Sequence, residues 1–349
     1  MPLVINGGHA PEHWLELQRH THAPSTALAS AASLQPLKIA LVNNMPDAAL
    51  EDTEAQFFSL IESAAGGLPV DIRLVQIAEV PRGDRVQVHL SRFYILAEEL
   101  WNHSFDGAII TGTEPRQRNL RDEPYWKSLT DVFDWAEAHT ASTVLSCLAA
   151  HASVLHSDNI DRHPLPDKQF GVFDYRRIAE HDLTDGLPSV VHFPHSRWNE
   201  VKSADLRRHG YQVLDESPDA GVNLFVKKKG RSLFVHFQGH PEYGTRTLLK
   251  EYRRDIRRFL KHERTTYPFM PHGYFDGVAA RFLSDFQQGA EAERTEETLE
   301  AFPEARLTET LKSTWHASAS QTYRNWLNYL LANRPAEVSQ SALSPAILG

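Results

Sequence analysis

The chain contains the stretch Ser142-Thr143-Val144-Leu145-Ser146-Cys147-Leu148-Ala149-Ala150, in which a short sheet-like run ends at the only cysteine of the sequence. Residues 142–146 are predicted to form a buried strand, and 148–155 a helix. A nucleophile at such a strand-to-helix turn is exposed above the sheet, and the helix N-terminus favours thiolate over thiol. Position alone leaves open the other interpretation, a buried core cysteine, which is common in proteins.

The segments before Cys147 repeat the same alternation of strand and helix. Further strands are predicted over residues 37–43, 71–77 and 107–111, and helices over 51–65, 93–101 and 125–139. This order predicts a doubly wound, mostly parallel α/β sheet flanked by helices. Such sheets bind ligands at the carboxyl ends of their strands. Asn44, Gly112 and Cys147 each follow a predicted strand, so we expect the three loops to converge on one site.

Shorter strands follow Asp158, over residues 170–175, 190–193, 211–214, 223–226 and 232–237, with a charged turn at 227–230. A long helix is predicted over 244–262 and a closing C-terminal helical segment over 315–331. We therefore expect a single α/β domain over residues 37–331, after a poorly ordered N-terminal lead-in (1–36) and before a C-terminal tail (332–349). Residues 287–312 are acidic and poor in apolar side chains, and are predicted to be a surface insertion. Whether 290–312 is a lid, an interface segment or a disordered loop stays open.

Composition narrows the class of protein. The 349 residues are 41% hydrophobic and carry a net charge of -9, which disfavours nucleic acid as the main partner. No apolar run is long enough for a membrane span, no secretory signal is evident, and a single cysteine suits a reducing compartment, so a cytoplasmic location is expected. His20 and His22 lack further ligands nearby, so no metal site is expected.

A second chemical motif follows the predicted strand 232–237, in Gln238-Gly239-His240-Pro241-Glu242-Tyr243. A cysteine nucleophile needs a base, and the base needs an orienting group. His240 can take the thiol proton, and Glu242 can hold the imidazole in the required tautomer. A capping or core histidine is the alternative for His240, while His236 lies inside the strand and is expected to be structural.

Short motifs in a fixed order resemble the homoserine O-acyltransferases of methionine biosynthesis, which have the class I glutamine amidotransferase-like fold. The resemblance spans residues 36–331 and rests on Asn43-Asn44-Met45-Pro46, Glu51, Glu54-x-Gln56-Phe57, Thr111-Gly112, Tyr125-Trp126, Cys147, Lys168-x-x-Gly171-Val172, Pro194-His195-Ser196-Arg197, Gly239-His240-Pro241-Glu242-Tyr243, Thr247-Leu248, Arg254-Asp255 and Asn325-Trp326-Leu327-Asn328-Tyr329.

The resemblance implies ping-pong acyl transfer from an acyl-CoA to the hydroxyl of L-homoserine, the first committed step of methionine biosynthesis. Cys147 would carry the acyl group as a thioester, with His240 as general base and Glu242 as its orienting acid. Backbone N–H groups at Gly112 and Leu148 would form the oxyanion hole. Contacts with the substrates are implied for Lys168, Ser196 and Arg254. Acyl-CoA would be a co-substrate with no other cofactor, and the assembly a homodimer.

Two departures from the family pattern bear on the acyl donor. The position that influences acyl choice holds Arg116, which could pair with the free carboxylate of a succinyl group, block the pocket or bind the CoA phosphates. Asp47 stands where the family usually has lysine. Succinyl-CoA is favoured over acetyl-CoA, and serine stays open as a related acceptor.

Hydrolase chemistry is the main alternative from another class. The amidotransferase relatives have glycines two residues either side of the cysteine, whereas this chain has Leu145 and Ala149. That difference argues against glutamine hydrolysis. A cysteine hydrolase or amidotransferase of the same fold therefore stays the second hypothesis, and a binding protein that lost the chemistry is the third.

Overall fold

A computed structural model of the chain describes residues 3–21 and 35–334. The strands are β1 Leu3–Ile5, β2 Leu37–Val42, β3 Val70–Gln76, β4 Ile95–Leu96, β5 Gly107–Ile110, β6 Ser142–Ser146, β7 His163–Arg177, β8 Val190–Glu200, β9 Gln212–Val213, β10 Asp215–Ser217, β11 Gly221–Val222, β12 Leu224–Lys229 and β13 Ser232–Phe237. The α-helices are α1 Glu12–Thr21, α2 Leu50–Ala65, α3 Asp84–Phe93, α4 Trp126–His139, α5 Leu148–Asp158, α6 Ser203–Arg208, α7 Thr247–Leu260, α8 Gly277–Ala292, α9 Glu304–Thr310 and α10 His316–Ala332.

The central sheet has the order β1-β3-β2-β5-β6-β13-β12-β9, with β4 paired to β3. Along this spatial order, the first six strands, from β1 to β13, pair in parallel. The last two differ, because β12 runs antiparallel to both β13 and β9. The predicted doubly wound, mostly parallel α/β sheet is therefore confirmed. A second, antiparallel sheet of order β11-β10-β7-β8 is built from strands that lie between α5 and β12, a part of the chain that also contains α6 and β9.

Helices cover both faces of the central sheet. Leu41, Ile109 and Val144 pack on one face with α2 and α10, while their chain neighbours pack on the other face with α4 and α5. Every position of β5 and β6 is buried. Burial on both faces explains why these strands are continuous apolar or small-residue runs rather than alternating ones.

Two local predictions are wrong. The segment 93–101 was expected to be one helix, but α3 ends at Phe93, β4 follows, and Ala97–Asn102 is a 3₁₀ helix. The helix there is α3 itself, which the sequence did not predict because only Leu90 and Phe93 of its ten residues are buried. The charged turn expected at 227–230 is also shorter: β12 continues through Lys229, and the chain turns at Gly230 with φ 51°.

The N-terminal lead-in was expected to be poorly ordered, and the described part of it is not. β1 extends the central sheet beside β3, and Trp14 of α1 is 3% exposed and packs edge-on against Phe58. A three-residue strand and a polar helix carry too weak a periodic signal to be detected from sequence. His22 of the expected lead-in lies outside the described residues.

The acidic segment 287–312 is a packed part of the fold. The segment contributes Leu299, Phe302 and Leu307 to a core shared with α7. Its acids pair with the basic face of α7: Glu304 lies 3.5 Å from Arg253, and Glu296 lies 3.9 Å from Arg257. The charge run that the sequence left unexplained is thus the complement of the arginines on α7.

Candidate active site

Cys147 occupies the turn between β6 and α5 in a strained backbone conformation. Its φ is 51° and its ψ is -108°, a combination that a residue other than glycine adopts at a cost of roughly 1 to 3 kcal/mol. The backbone N–H of Cys147 donates to the carbonyl of Phe237, 2.8 Å away, which ties the turn to the end of β13. The thiol is therefore held at the carboxyl edge of the sheet, at the start of a helix.

His240 and Glu242 lie directly beside this turn. Nδ1 of His240 is 2.8 Å from Oε1 of Glu242, and both side chains are buried. Since an ionised carboxylate only accepts hydrogen bonds, Nδ1 donates and Nε2 is left for the thiol. Burial alone would lower the pKa of His240, but the charges of Glu242 and Cys147, each also hydrogen-bonded to the imidazole, raise that pKa well above its ordinary value. The three residues form one charge-coupled group.

The backbone around His240 is fixed by Pro194 of β8 and by Asn223, which lies between β11 and β12. The N–H of His240 donates to the carbonyl of Pro194 at 2.9 Å, and the N–H of Gly239 donates to Oδ1 of Asn223 at 3.1 Å. A Cβ on Gly239 would lie 2.7 Å from both that oxygen and Nε2 of His195. Glycine is required there because the buried side chains of Asn223 and His195 fill the space.

The three predicted strand ends do converge. The N–H of Asn44 donates to Oγ1 of Thr111 at 2.8 Å, which joins the loops after β2 and β5. A Cβ on Gly112 would lie 2.6 Å from Cβ of Leu148 and 2.9 Å from its backbone N, so the loop after β5 packs on the first residue of α5. Gly112, Leu148 and Cys147 therefore share one small region.

The three residues expected to bind substrates also come together, around a carboxylate that the sequence analysis did not select. Oε2 of Glu251 accepts hydrogen bonds from Ser196 and from Nζ of Lys168, and lies 3.6 Å from Nη2 of Arg254. Lys168 and Arg254 also bind Asp255, at 3.1 Å each. Burial would raise the pKa of Glu251, but these cations and hydrogen bonds lower it, so the carboxylate stays ionised.

Glu251 was not selected, and Asp255 entered only as part of the Arg254-Asp255 motif without a role, because acids among the arginines of a predicted helix are typical of a solvated face. Their spacing was the available signal: residues at i and i+4 of a helix share a face. Lys168 of β7 approaches that face from the second sheet, and its ammonium lies 4.0 Å from the ring centroid of Phe170. Two cations, two acids and one serine form this group, which we call the Glu251 cluster (Lys168, Ser196, Glu251, Arg254 and Asp255).

Arg116 lies on the wall of a cavity of about 600 Å³ that Asp47 and Tyr125 also line, and no residue of the Glu251 cluster lines that cavity. Oδ2 of Asp47 accepts a hydrogen bond from the N–H of Gly83 at 2.8 Å, and its Oδ1 lies 3.4 Å from Arg82. The two departures from the family pattern therefore border one cavity.

Metal binding has no visible basis in the described ranges. No group of three or more His, Cys, Asp or Glu side chains within residues 3–21 and 35–334 could hold a metal ion. Nor is any helix in those ranges long and apolar enough to cross a membrane.

The fold and this arrangement define a doubly wound α/β protein with a cysteine–histidine–glutamate site. The family model of homoserine O-succinyltransferase matches residues 2–336. A homoserine O-succinyltransferase of Methylorubrum extorquens is 44% identical over 291 residues, covering 83% of this chain and 86% of that protein. The chain belongs to the homoserine O-succinyltransferase family, and thereby to the O-acyltransferases.

Other similar proteins agree in name or differ too far to bear on function. A homoserine O-succinyltransferase of Rhodopseudomonas palustris is 40% identical over 319 residues, covering 91% of this chain and 94% of that protein. A glutamine amidotransferase structure from Thermotoga maritima has a TM-score of 0.42 and 9% identity, over 85% of this chain and 99% of that chain. A likeness that distant carries no argument about activity.

Proposed function

We propose that this protein transfers the succinyl group of succinyl-CoA to the hydroxyl of L-homoserine through a thioester on Cys147. The observation that carries the proposal is the hydrogen-bonded group of Cys147, His240 and Glu242 on a strained turn at the carboxyl edge of the sheet. The succinyl donor and the homoserine acceptor come from the names of the relatives.

The first half-reaction forms the acyl-enzyme. His240 holds the thiol proton, and the charge of Glu242 stabilises the resulting imidazolium. The Cys147 thiolate attacks the thioester carbonyl, a tetrahedral intermediate forms, and CoA leaves as a thiol with the proton from His240. The backbone N–H groups of Leu148 and Gly112 are proposed to receive the oxyanion, where each donor would stabilise the transition state by roughly 3 to 4 kcal/mol.

The second half-reaction reverses these roles. His240 takes the proton of the acceptor hydroxyl, whose oxygen attacks the thioester carbonyl of the acyl-enzyme. The tetrahedral intermediate then collapses as the C–S bond to Cys147 breaks, and Cys147 leaves as the thiolate. The product is the O-succinyl ester of the acceptor.

The charges of the Glu251 cluster suit an amino-acid acceptor. The positive charges of Lys168 and Arg254 balance the negative charges of Glu251 and Asp255, so the net charge of the cluster is close to zero. An amino-acid acceptor likewise carries one positive and one negative group. We infer that Glu251 binds the ammonium and Arg254 the carboxylate of the acceptor. Because Nε and Nη2 of Arg254 already donate to Asp255, its Nη1 is the donor left for that carboxylate.

Intact-mass measurement after mixing with one acyl-CoA and no acceptor tests the proposal. We expect one succinyl adduct per chain from succinyl-CoA, a weaker adduct from acetyl-CoA, and none in Cys147→Ala. Addition of homoserine should remove the adduct and yield the succinyl ester, whereas serine should remove it more slowly.

Two results would overturn this function. One is release of CoA by Cys147→Ala at the wild-type rate, since no other thiol is present in the chain. The other is ammonia release from glutamine without any acyl adduct, which would support the hydrolase alternative. A cytoplasmic location, a homodimer, the absence of any cofactor beyond acyl-CoA, and the place in methionine biosynthesis belong to the same proposal.

A further inference from the structure

The carboxylate of Glu54 is buried outside the candidate active site and forms no ion pair with a lysine or arginine in the described ranges. The side chain lies in α2 and is 0% exposed. Its ion-pair partners in those ranges are two histidines of other helices. Nε2 of His89 in α3 lies 2.9 Å from Oε1, and Nε2 of His13 in α1 lies 3.4 Å from Oε2. Since a buried charge is costly unless it is paired, the proton on these imidazoles decides how well Glu54 is balanced.

The two histidines contact the carboxylate in different ways. Burial would lower the pKa of His89, but the hydrogen bond and the charge of Glu54 raise that pKa, with smaller contributions from Glu51 and Glu12. Nε2 of His13 and Oε2 of Glu54 are both buried, and neither has a hydrogen-bond partner among the described residues. The centroids of the two imidazole rings are 6.0 Å apart. A proton on His13 would therefore place a positive charge against the carboxylate oxygen that lacks a donor.

Other charged or titratable side chains near this group come from the same three helices and from the segments before α1 and α3. They are Glu12 and Arg92, which pair with each other at 2.8 Å, the exposed Glu51, Arg82, which lies 3.4 Å from Asp47, and His9, whose ring contacts Phe93. None of them forms an ion pair with Glu54, His13 or His89 within residues 3–21 and 35–334. The charge of Glu54 is therefore balanced by histidines, the side-chain type whose own charge changes near neutral pH.

Glu54 is also linked to the loop after β2. Its Oε1 accepts the hydroxyl proton of Tyr94 at 2.5 Å, and the Tyr94 oxygen accepts a hydrogen bond from Nδ2 of Asn43 at 3.2 Å. Burial and the charge of Glu54 raise the pKa of Tyr94 well above its ordinary value, so the hydroxyl stays a donor. Oδ1 of Asn43 accepts the N–H of Met45 at 3.2 Å, and Asn44 between them is bonded to the loop after β5. Two side chains thus connect Glu54 with the loops of the candidate active site.

We propose that His13, Glu54 and His89 form a proton-binding site that fastens α1 to the fold, and that Glu54 is a positioning residue for the loop after β2. With protonated histidines the carboxylate is balanced from α1 and α3 and holds Tyr94 in place. The folded protein binds the His89 proton more tightly than the unfolded chain does, so this stabilisation is full below about pH 6.5 and is lost as pH rises through the raised pKa of His89. The site exists without substrate, and only the acylation measurement below rests on the proposed function.

A double-mutant cycle at two pH values tests the site. Glutamine keeps a hydrogen-bonding amide at positions 54 and 89 but carries no charge. We expect His89→Gln to lower the urea midpoint of unfolding at about pH 6 and to change it little at about pH 8.5. In a Glu54→Gln background this difference between the two pH values should disappear, because the charge that His89 faces is gone. His13→Gln should act as His89→Gln does, with a smaller loss, since its contact lacks a hydrogen bond.

His192→Gln is the matched control, because Nδ1 of His192 lies 2.7 Å from Oδ1 of Asp174, whose side chain is 76% exposed. A histidine–carboxylate pair at the surface contributes little to stability, so the midpoint of this variant should follow wild type at both pH values. Equal losses from His89→Gln at both pH values, or a pH-dependent loss that persists in the Glu54→Gln background, would overturn the proton-binding site.

The acylation rate separates positioning from packing. At about pH 6, His89→Gln should slow succinylation by roughly 2- to 20-fold relative to wild type, and the ratio at one pH cancels the titration of His240. Tyr94→Phe breaks the link to Asn43 but leaves Glu54 and His89 in contact. In that background His89→Gln should still lower the urea midpoint at about pH 6, and should no longer slow succinylation.

A slowing of succinylation that survives Tyr94→Phe, or no slowing in either background, would overturn the positioning role of Glu54. If wild type forms no acyl adduct at all, the proposed function fails, and the urea midpoints alone decide the proton-binding site.

Discussion

The hydroxyl of Tyr243 lies 2.6 Å from Oε1 of Glu251, and the ring of Tyr243 stacks on the imidazole of His240 with centroids 4.2 Å apart. One side chain thus contacts both the proposed general base and the centre of the Glu251 cluster. Its backbone carbonyl accepts the indole N–H of Trp315 at 2.8 Å, which fixes its position from the C-terminal helices. The two parts of the site are joined through Tyr243.

Replacement of Tyr243 by phenylalanine should separate the two half-reactions. The ring keeps its contact with His240, but Glu251 loses a charge-assisted hydrogen bond that contributes roughly 1.5 to 3 kcal/mol. We expect the KM for homoserine to rise about tenfold or more, while the rate of succinyl adduct formation stays close to wild type. Intact-mass measurements on reactions quenched at successive times, with and without homoserine, would separate the rate of adduct formation from the rate of its transfer to homoserine. An equal fall in both would contradict the division of roles.

Replacement of Glu242 by glutamine should change the pH profile as well as the rate. Burial opposes the charged form of His240, and the charges of Glu242 and Cys147 raise its pKa. Without the charge of Glu242 that pKa falls, so His240 loses the proton needed by the leaving thiol at a lower pH. We expect the alkaline limb of CoA release to move to lower pH, and the rate to fall by roughly 10²- to 10⁴-fold.

Glu180→Gln is the matched control for that experiment, since the Glu180 side chain is 90% exposed. Its pH profile should be that of wild type. If the alkaline limb of CoA release lies at the same pH in Glu242→Gln as in wild type, Glu242 does not act through the imidazole of His240.

Gly112→Ala should damage the proposed oxyanion hole. The added methyl would lie 2.6 Å from Cβ of Leu148, so either the loop after β5 or the first turn of α5 must shift. We expect a loss of roughly 1 to 3 kcal/mol in the free energy of unfolding, together with a larger loss of acylation rate. Gly289→Ala, where nothing lies within 4 Å, should instead stabilise α8 slightly. Acylation at the wild-type rate in Gly112→Ala would argue against the oxyanion role.

The sequence predicted strand bounds best for strands that are buried on both faces of the sheet. Residues 142–146 and 232–237 were predicted with their observed bounds because both are fully buried central strands, which form continuous runs. The convergence of Asn44, Gly112 and Cys147 followed from the parallel order of the sheet. Pattern alone could assign these residues to one edge, but not the strained φ of Cys147.

The Glu251 cluster shows what the sequence could not supply. Lys168, Ser196 and Arg254 came from family resemblance, whereas Asp255 was quoted only as part of the same motif as Arg254, and Glu251 resembled an ordinary charge on a helix surface. Their importance arises from burial against the second sheet, which depends on how β7 and β8 pack over α7.

Asp215 should make stability depend on pH. Burial raises the pKa of Asp215 to about 7, although hydrogen bonds from Leu224 and Asn223 oppose the shift. Between about pH 4 and pH 7 the folded state therefore binds more protons than the unfolded chain, and the free energy of unfolding falls as pH rises. Asp215→Asn lacks this dependence, so its free energy of unfolding relative to wild type should rise by roughly 1 to 4 kcal/mol from pH 4.5 to pH 8.

Urea unfolding at the two pH values would measure that change, with the exposed Asp167→Asn as control. The control should follow wild type at both. A constant difference between Asp215→Asn and wild type would show that Asp215 ionises normally in the folded protein.

Trp14→Ala should show whether the N-terminal helix is part of the cooperative fold. Trp14 is 3% exposed and packs on Phe58 with ring centroids 5.3 Å apart, whereas its neighbour Leu15 is 42% exposed. Loss of a buried tryptophan leaves a cavity against α2, and we expect the free energy of unfolding to fall by roughly 3 to 5 kcal/mol. Leu15→Ala should change it by less than about 0.5 kcal/mol. If Trp14→Ala and Leu15→Ala both changed the free energy of unfolding by equally small amounts, α1 would detach before the core unfolds. The lead-in would then be loosely held, as the sequence predicted.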